Sequence, residues 1–337
     1  MSSLLPDLFQ QTTDCLKQAK TVFLTVHVNP DGDALGSMLA CAELIRAAFP
    51  HLTHIHPTMV GTPPQNLMLI PGVEHVIDIT RDGDNELLPQ YDVSICLDCG
   101  SADRLGDCAD LFHGAATSIN IDHHTSNTLF GNINLLDTAS AATGEVVAQW
   151  MDFIDQPISD RIAGGIYTAI VTDTGGFRFS NTRAYTFQLA SRCAEAGCDT
   201  EAYYKAIYEN RPKCQVLLIA QALQDAQFEA NHQVGWTYVS SKQREDLGAL
   251  SEHTEGIVDA LRQIQEVKVA AFFKEEAPNT IKVSLRSDNP NIDVGQIAID
   301  LGGGGHKMAS GCTIHGDIEA AKSAILPKLE ACVGALV

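Results

Sequence analysis

The chain has 337 residues, 45% of them hydrophobic, and its 22 basic and 42 acidic side chains give a net charge of -20. That length exceeds what one hydrophobic core usually covers, so two domains are expected, and a surface so acidic repels the backbone of long nucleic acid. The first seven residues lack the basic and apolar segments of a signal peptide, and no apolar run reaches the ~18 residues of a membrane span, which predicts a soluble cytoplasmic protein with no membrane contact.

In chain order, residues 3 to 19 read as an amphipathic helix, and Thr21 to Val26 as a first buried strand. Pro30 and Gly32 break that strand in His27-Val28-Asn29-Pro30-Asp31-Gly32-Asp33, and a helix follows from Ala34 to Ala48. His51 to Val60 reads as a second strand. No carboxylate or cysteine accompanies its His51, His54 and His56, which are expected to be exposed edge residues rather than metal ligands. Tyr91 to Leu97 forms another apolar strand that delivers Asp98 at its end. Cys96 and Cys99 flank that point as a C-x-x-C without a second pair, and the other cysteines are scattered, as in a reduced cytosolic protein without structural zinc.

Strand 117 to 121 then supplies Asp122, His123 and His124, a carboxylate and two imidazoles at consecutive positions where burial without partners would cost several kcal/mol. A helix opens at Ala141 to Glu145 and runs to about Phe153. A second, from 158 to 171, ends in the glycine-rich loop Thr172 to Asn181 carrying Asp173. Strands alternating with helices predict an α/β fold with a doubly wound, mainly parallel sheet, whose carboxyl edge is where such sheets place their ligands. The domains are expected at 1–185 and 229–337, joined by a helical connector over 186–228. The second is a smaller α/β unit with strands at 234–240, 267–273 and 280–285 and helices near 252–265, 293–301 and 317–333.

His27, Asp31, Asp33, Asp98, His123 and Asp173 thus lie at the ends of separate elements. Asp31, Asp33 or Asp173 taken singly could be a helix cap. Four carboxylates recurring at one edge, however, would raise each other's pKa values and destabilise the fold unless cations offset them. Oxygen-rich ligation with some imidazole and no thiolate points to Mn²⁺ or Mg²⁺, and two such ions ~3.5–4 Å apart activate water and stabilise the leaving oxygen in phosphoester hydrolysis. No G-x-S-x-G elbow favours serine nucleophile chemistry.

In the second domain, Arg286 ends a strand, and Gly302-Gly303-Gly304-Gly305-His306-Lys307 follows a short helix. Consecutive glycines let backbone amides converge on an anion, and Arg286 could grip the same phosphate; a linker or helix C-cap is the plainer reading of the glycines alone.

The ordered set His27-x-Asn29-Pro30-Asp31-Gly32-Asp33-Ala34-x-Gly36-Ser37, Asp98, Asp122-His123-His124 and Thr172-Asp173-Thr174-Gly175 resembles the motifs of the DHH phosphoesterase superfamily. Residues 257 to 311 resemble the DHHA1 domain that accompanies it in one branch. The resemblance implies that His27, Asp31 and Asp98 hold one metal and Asp33, Asp98, His123 and Asp173 the other, with Asp98 bridging. His124 would face the scissile phosphate as donor or general acid, and Asp122 would orient the histidines. It also implies a substrate held across a cleft between the domains, with the terminal phosphate and base on the second domain, the phosphate held by Arg286, Gly303, Gly304, Gly305 and His306, and the scissile phosphate on the metals. Size and domain order are similar to the nanoRNases, oligoribonucleases that also remove a phosphate from adenosine 3′,5′-bisphosphate, and a homodimer is left open. The same chemistry leaves open linear dinucleotides derived from cyclic signals. The exonuclease RecJ, a family II pyrophosphatase and a non-catalytic nucleotide sensor fit less well.

Overall fold

The computed structural model describes residues 5–82 and 87–334, so the first two residues of the helix expected from residue 3 lie outside it. The chain divides into two compact units, Met1–Asn210 and Arg211–Val337. The helical residues expected as a connector are divided between them: Ala184–Glu195 and Thr200–Tyr204 belong to the first unit and Lys213–Gln224 to the second.

In the first unit, helix α1 (Leu5–Gln18) precedes strand β1 (Thr21–Val26), and helix α2 (Gly32–Ala48) leads to β2 (His54–Met59), β3 (Ile77–Asp78), β4 (Val93–Leu97), β5 (Thr117–Asp122) and β6 (Ile133–Leu136). All pairings are parallel, in the order β3-β2-β1-β4-β5-β6. Both faces are covered, which is why the strands read as continuous apolar runs rather than as alternation. Val22, Leu24 and Val26 join the core under α2 and the helices Thr143–Phe153 and Asp160–Asp173, whereas Phe23 and Cys96 pack with Leu105 and Phe112 on the other face.

Two short strands, β3 and β6, have no counterpart in the sequence reading. β3 moves β2 from the edge to the interior of the sheet, and β6 does the same for β5. His56 is accordingly half-buried, with Nδ1 2.6 Å from the Tyr91 hydroxyl, while His51 and His54 remain exposed. The strand order reverses between β1 and β4, and at such a switch point the loops leaving neighbouring strands diverge and open a crevice. His27 directly follows β1 and Asp98 directly follows β4.

The second unit is a mixed sheet of order β11-β12-β10-β9-β8-β7, from β7 (Gln227–Glu229), β8 (Val234–Val239), β9 (Val269–Ala277), β10 (Thr280–Ser287), β11 (Gly304–His306) and β12 (Ala309–His315). Val283, Leu285 and Phe273 face the long terminal helix Ile318–Gly334, and Ala270 and Phe272 face the helix Ile257–Arg262. No helix among the described residues is long and apolar enough to cross a membrane.

Candidate active site

Helix packing brings the site together. α2 and the helix Asp160–Asp173 cross where a Cβ on Gly36 would fall 2.5 Å from the Gly165 carbonyl oxygen, and one on Gly165 would fall 2.6 Å from that of Gly36. Only glycines allow this approach, and it sets the first turn of α2, with Asp33, beside the last turn of the other helix, with Asp173. Asp173 lies on that helical turn and not in the loop after it. Asp31 does cap α2, its carboxylate accepting from the Ala34 amide at 3.1 Å, so capping and a ligand role are compatible. Asp98 adopts a left-handed backbone, φ 54°, a cost of about 1–3 kcal/mol that functional sites often carry.

All six expected ligands meet. His123 Nε2 lies 3.7 Å from Asp33 Oδ2, 3.7 Å from Asp98 Oδ1 and 3.7 Å from Asp173 Oδ2. His27 Nε2 is 3.9 Å from Asp98 Oδ2, and His27, Asp31 and Asp98 form a second group whose ligand atoms all lie within 4.8 Å of one another. Donors around one cation with bonds of about 2.0–2.6 Å stand roughly 3–4 Å apart, so these spacings suit metal ligation. A third such group, Asp98, His123 and His124, links the other two through Asp98 and His123, with His124 Nδ1 3.5 Å from Asp98 Oδ1, and no thiolate belongs to any of the three.

The electrostatics also call for cations. Asp33 and Asp98 are each 2% exposed. Burial, then the charges of Asp173 and Asp31, push the Asp33 carboxyl well above its ordinary range, and burial, then Asp33 and Asp31, do the same to Asp98. Burial likewise raises Asp173 and pulls the His27 imidazole down, leaving His27 neutral and fit to ligate.

His124 differs from its neighbour. Its Nδ1 is 2.8 Å from Asp122 Oδ1, and that hydrogen bond raises its pKa to about 9. Burial works against charge on Asp122, yet hydrogen bonds from His124, Asn127 and the His123 amide hold its carboxyl below the ordinary value. Asp122 is the last residue of β5 and fully buried, and it meets the His123 backbone amide and the His124 ring from a fixed strand.

Several contributors were not legible beforehand. The Thr143 and Gly144 amides, at a helix start whose own N-cap is Ala142, donate to Asp33 at 2.7 and 3.2 Å. Thr143 Oγ1 donates to Asp98 at 3.0 Å, Ser37 Oγ to Asp33 at 2.8 Å, and Asn181 Nδ2 to the Asp173 carbonyl at 3.1 Å. Only Ser37 had a signal, as the i+4 partner of Asp33 on α2; the others depend on tertiary pairing.

In the second unit, the glycine run is not a free loop: Gly304–His306 is β11, paired with β12. Ala309 pairs with Arg286 of β10 on one side and His306 of β11 on the other, so Arg286 and His306 share one row and one face. Cβ atoms on Gly303 and Gly305 would strike the β12 backbone, whereas Gly304 faces open space. Arg286 Nε donates to Asp259 Oδ1 at 3.2 Å.

Residues 21–170 match the DHH family, N-terminal domain, and residues 237–335 match the DHHA1 domain. The chain is 30% identical over 307 residues to the bifunctional oligoribonuclease and PAP phosphatase NrnA of Thermus thermophilus, covering 90% of this chain and 88% of that one. To the Bacillus subtilis protein of the same name it is 28% identical over 313 residues, covering 92% and 94%. Among solved structures, an exopolyphosphatase-related protein from Bacteroides fragilis shares the fold with a TM-score of 0.90, 24% identity and 96% coverage of both chains. RecJ from Thermus thermophilus, solved with Mn²⁺, has a TM-score of 0.54 at 13% identity, covering 98% of this chain and 54% of that one. With its motifs, its two domains and these relatives in agreement, the chain belongs to the DHH/DHHA1 phosphoesterase family and is a phosphoesterase hydrolase.

Proposed function

We propose that this phosphoesterase hydrolyses very short oligoribonucleotides to mononucleotides, and adenosine 3′,5′-bisphosphate to AMP, in the cytoplasm with two divalent cations, Mn²⁺ foremost. The observation that carries the reading is the group of carboxylates and imidazoles around His123 Nε2, set beside a His124 whose Nδ1 lies 2.8 Å from Asp122 Oδ1. The names of the Thermus and Bacillus relatives supply the substrate class.

In this reading His27, Asp31 and Asp98 hold one cation and Asp33, Asp98, His123 and Asp173 the other, with Asp98 shared. Bound there, divalent cations supply charge neutralisation at the phosphate and a lowered proton affinity of water. The chain does the rest. Ser37, Thr143 and Gly144 fix the carboxylates of Asp33 and Asp98, so that little reorganisation is left for the reaction. Asp122 engages Nδ1 of His124, which makes Nε2 the nitrogen that presents a proton to the scissile phosphate or the leaving oxygen. Arg286, His306 and the Gly304 and Gly305 backbone take the terminal phosphate, with Asp259 holding the guanidinium until the substrate arrives; the Gly303 amide, expected in this cradle, instead donates to the Ala298 carbonyl at 2.8 Å.

One assay tests the reading: Mn²⁺-loaded protein is given di- to decanucleotides of RNA, a 5′-phosphorylated linear dinucleotide, adenosine 3′,5′-bisphosphate and pyrophosphate. Dinucleotides and adenosine 3′,5′-bisphosphate are expected to react fastest; a preference for pyrophosphate or for the longest RNA would overturn it.

A further inference from the structure

The loop after Asp173 carries an aromatic surface that metal ligation does not use. Gly175 and Gly176 have φ 58° and 71°, and the Arg178 and Phe179 amides both return to the Thr174 carbonyl, at 2.9 and 3.0 Å. This tight turn folds the Phe179 ring over Gly175, where a Cβ would stand 2.5–2.8 Å from three ring atoms. Arg178 Nε donates to the Gly175 carbonyl at 2.7 Å and sets the guanidinium 5.9 Å from the Phe179 ring centroid. On the far side of the turn, the Tyr204 ring reaches to 3.4 Å of the Cβ position of Gly176. Phe179 nevertheless remains 44% exposed and Tyr204 41%.

Exposed aromatics scattered singly need no explanation. These two flank one glycine pair, two residues beyond a carboxylate of the candidate metal site, and one ring is already fixed by a cation. Fixing the ring removes the ordering cost of a stacking contact, and every nucleobase has a π face that such a ring accepts whatever its sequence. We propose that Phe179, backed by Gly175 and Arg178, is a stacking platform for the base of the nucleotide whose phosphate lies at the metal site. The inference rests on the proposed nucleotide substrates and names the group that selects them: a base of either class, read by its face and not by its hydrogen-bonding edge.

The test uses the full-length, Mn²⁺-loaded protein and a pair of dinucleotides identical except that one lacks the base on the nucleotide at the scissile phosphate. Wild type should have the lower KM for the base-bearing member; Phe179→Ala should shrink that preference about tenfold, within the range of a single base–aromatic stack, and Phe179→Trp should restore it. An unchanged preference in Phe179→Ala, or an equal loss on both substrates, overturns the platform. Should wild type cleave neither substrate, the proposed function fails, and the platform is judged by binding alone. Adenosine 5′-monophosphate should then bind more tightly than ribose 5-phosphate in wild type and not in Phe179→Ala, and equal binding in wild type overturns it.

Discussion

His123 and His124 are adjacent in sequence and meet different groups, because one carboxylate, Asp122, reaches only one ring. His123 points Nε2 into the carboxylate group and rests Nδ1 3.2 Å from the Ser140 carbonyl, whereas His124 Nδ1 faces Asp122 at 2.8 Å. Replacing His124 with Ala should therefore leave Mn²⁺ content intact by metal analysis and lower kcat by roughly 10²–10⁴, the usual contribution of a positioned proton donor. Undiminished turnover would remove it from the mechanism. Arg286→Ala should instead raise KM for dinucleotides about tenfold, the loss of one charge-assisted contact, and spare a monoester that lacks a second phosphate. Far from the site, Asp92 accepts from the Lys20 and Thr21 amides at 2.7 and 3.0 Å, and the Lys20 bond leads in holding its carboxyl below the ordinary value. A depressed folded pKa contributes stability that is present above the unfolded value of about 3.9 and is lost as pH falls through the folded one. Asp92→Ala should thus cost about 1 kcal/mol at pH 7, discounted for its exposure, and progressively less below pH ~4, as urea titrations at the two pH values would show.

At the scale of elements, the site depends on how closely two helices can cross. Gly36→Val would place methyl groups against the Gly165 carbonyl, and the forced separation should cost about 3 kcal/mol in chemical denaturation while weakening Mn²⁺ binding. A stable Gly36→Val protein with normal metal affinity would contradict this. The strands that deliver His27, Asp98 and Asp122 were legible because each is an apolar run ended by a polar residue. The two-residue β3 and four-residue β6 were not, since strands so short carry no period, and without β3 the β2 strand read as an edge. β11 escaped for a different reason: glycine signals a loop on composition, whereas here it serves a strand whose backbone lies against its neighbour. Thr143 stayed hidden because the helix it opens is capped from another part of the chain, by Asp33.

For the whole molecule, the concentration of buried carboxylate in the first unit would couple folding to cation binding in the proposed reading. Metal that binds only the folded chain adds about 2.7 kcal/mol when present at a hundred times its Kd. Adding a chelator to the Mn²⁺-loaded protein should therefore lower Tm by several degrees, with recovery on returning Mn²⁺; an unchanged Tm would mean that the carboxylates are already balanced without it. The net charge of -20 does not tell exposed carboxylates from buried ones, and Asp33, Asp98 and Asp122 lie inside the unit.

Both sheets also finish in very short strands: β3 has two residues, β6 four, β7 three and β11 three. A neighbouring molecule seeking to extend either ladder would gain only a few backbone bonds before the template ran out, and β7 carries Gln227 and Glu229 on either side of Phe228 while β11 carries two glycines. Blunt margins of this kind guard the chain against fibrillar self-association at high concentration, and leave any specific pairing of copies to side-chain surfaces.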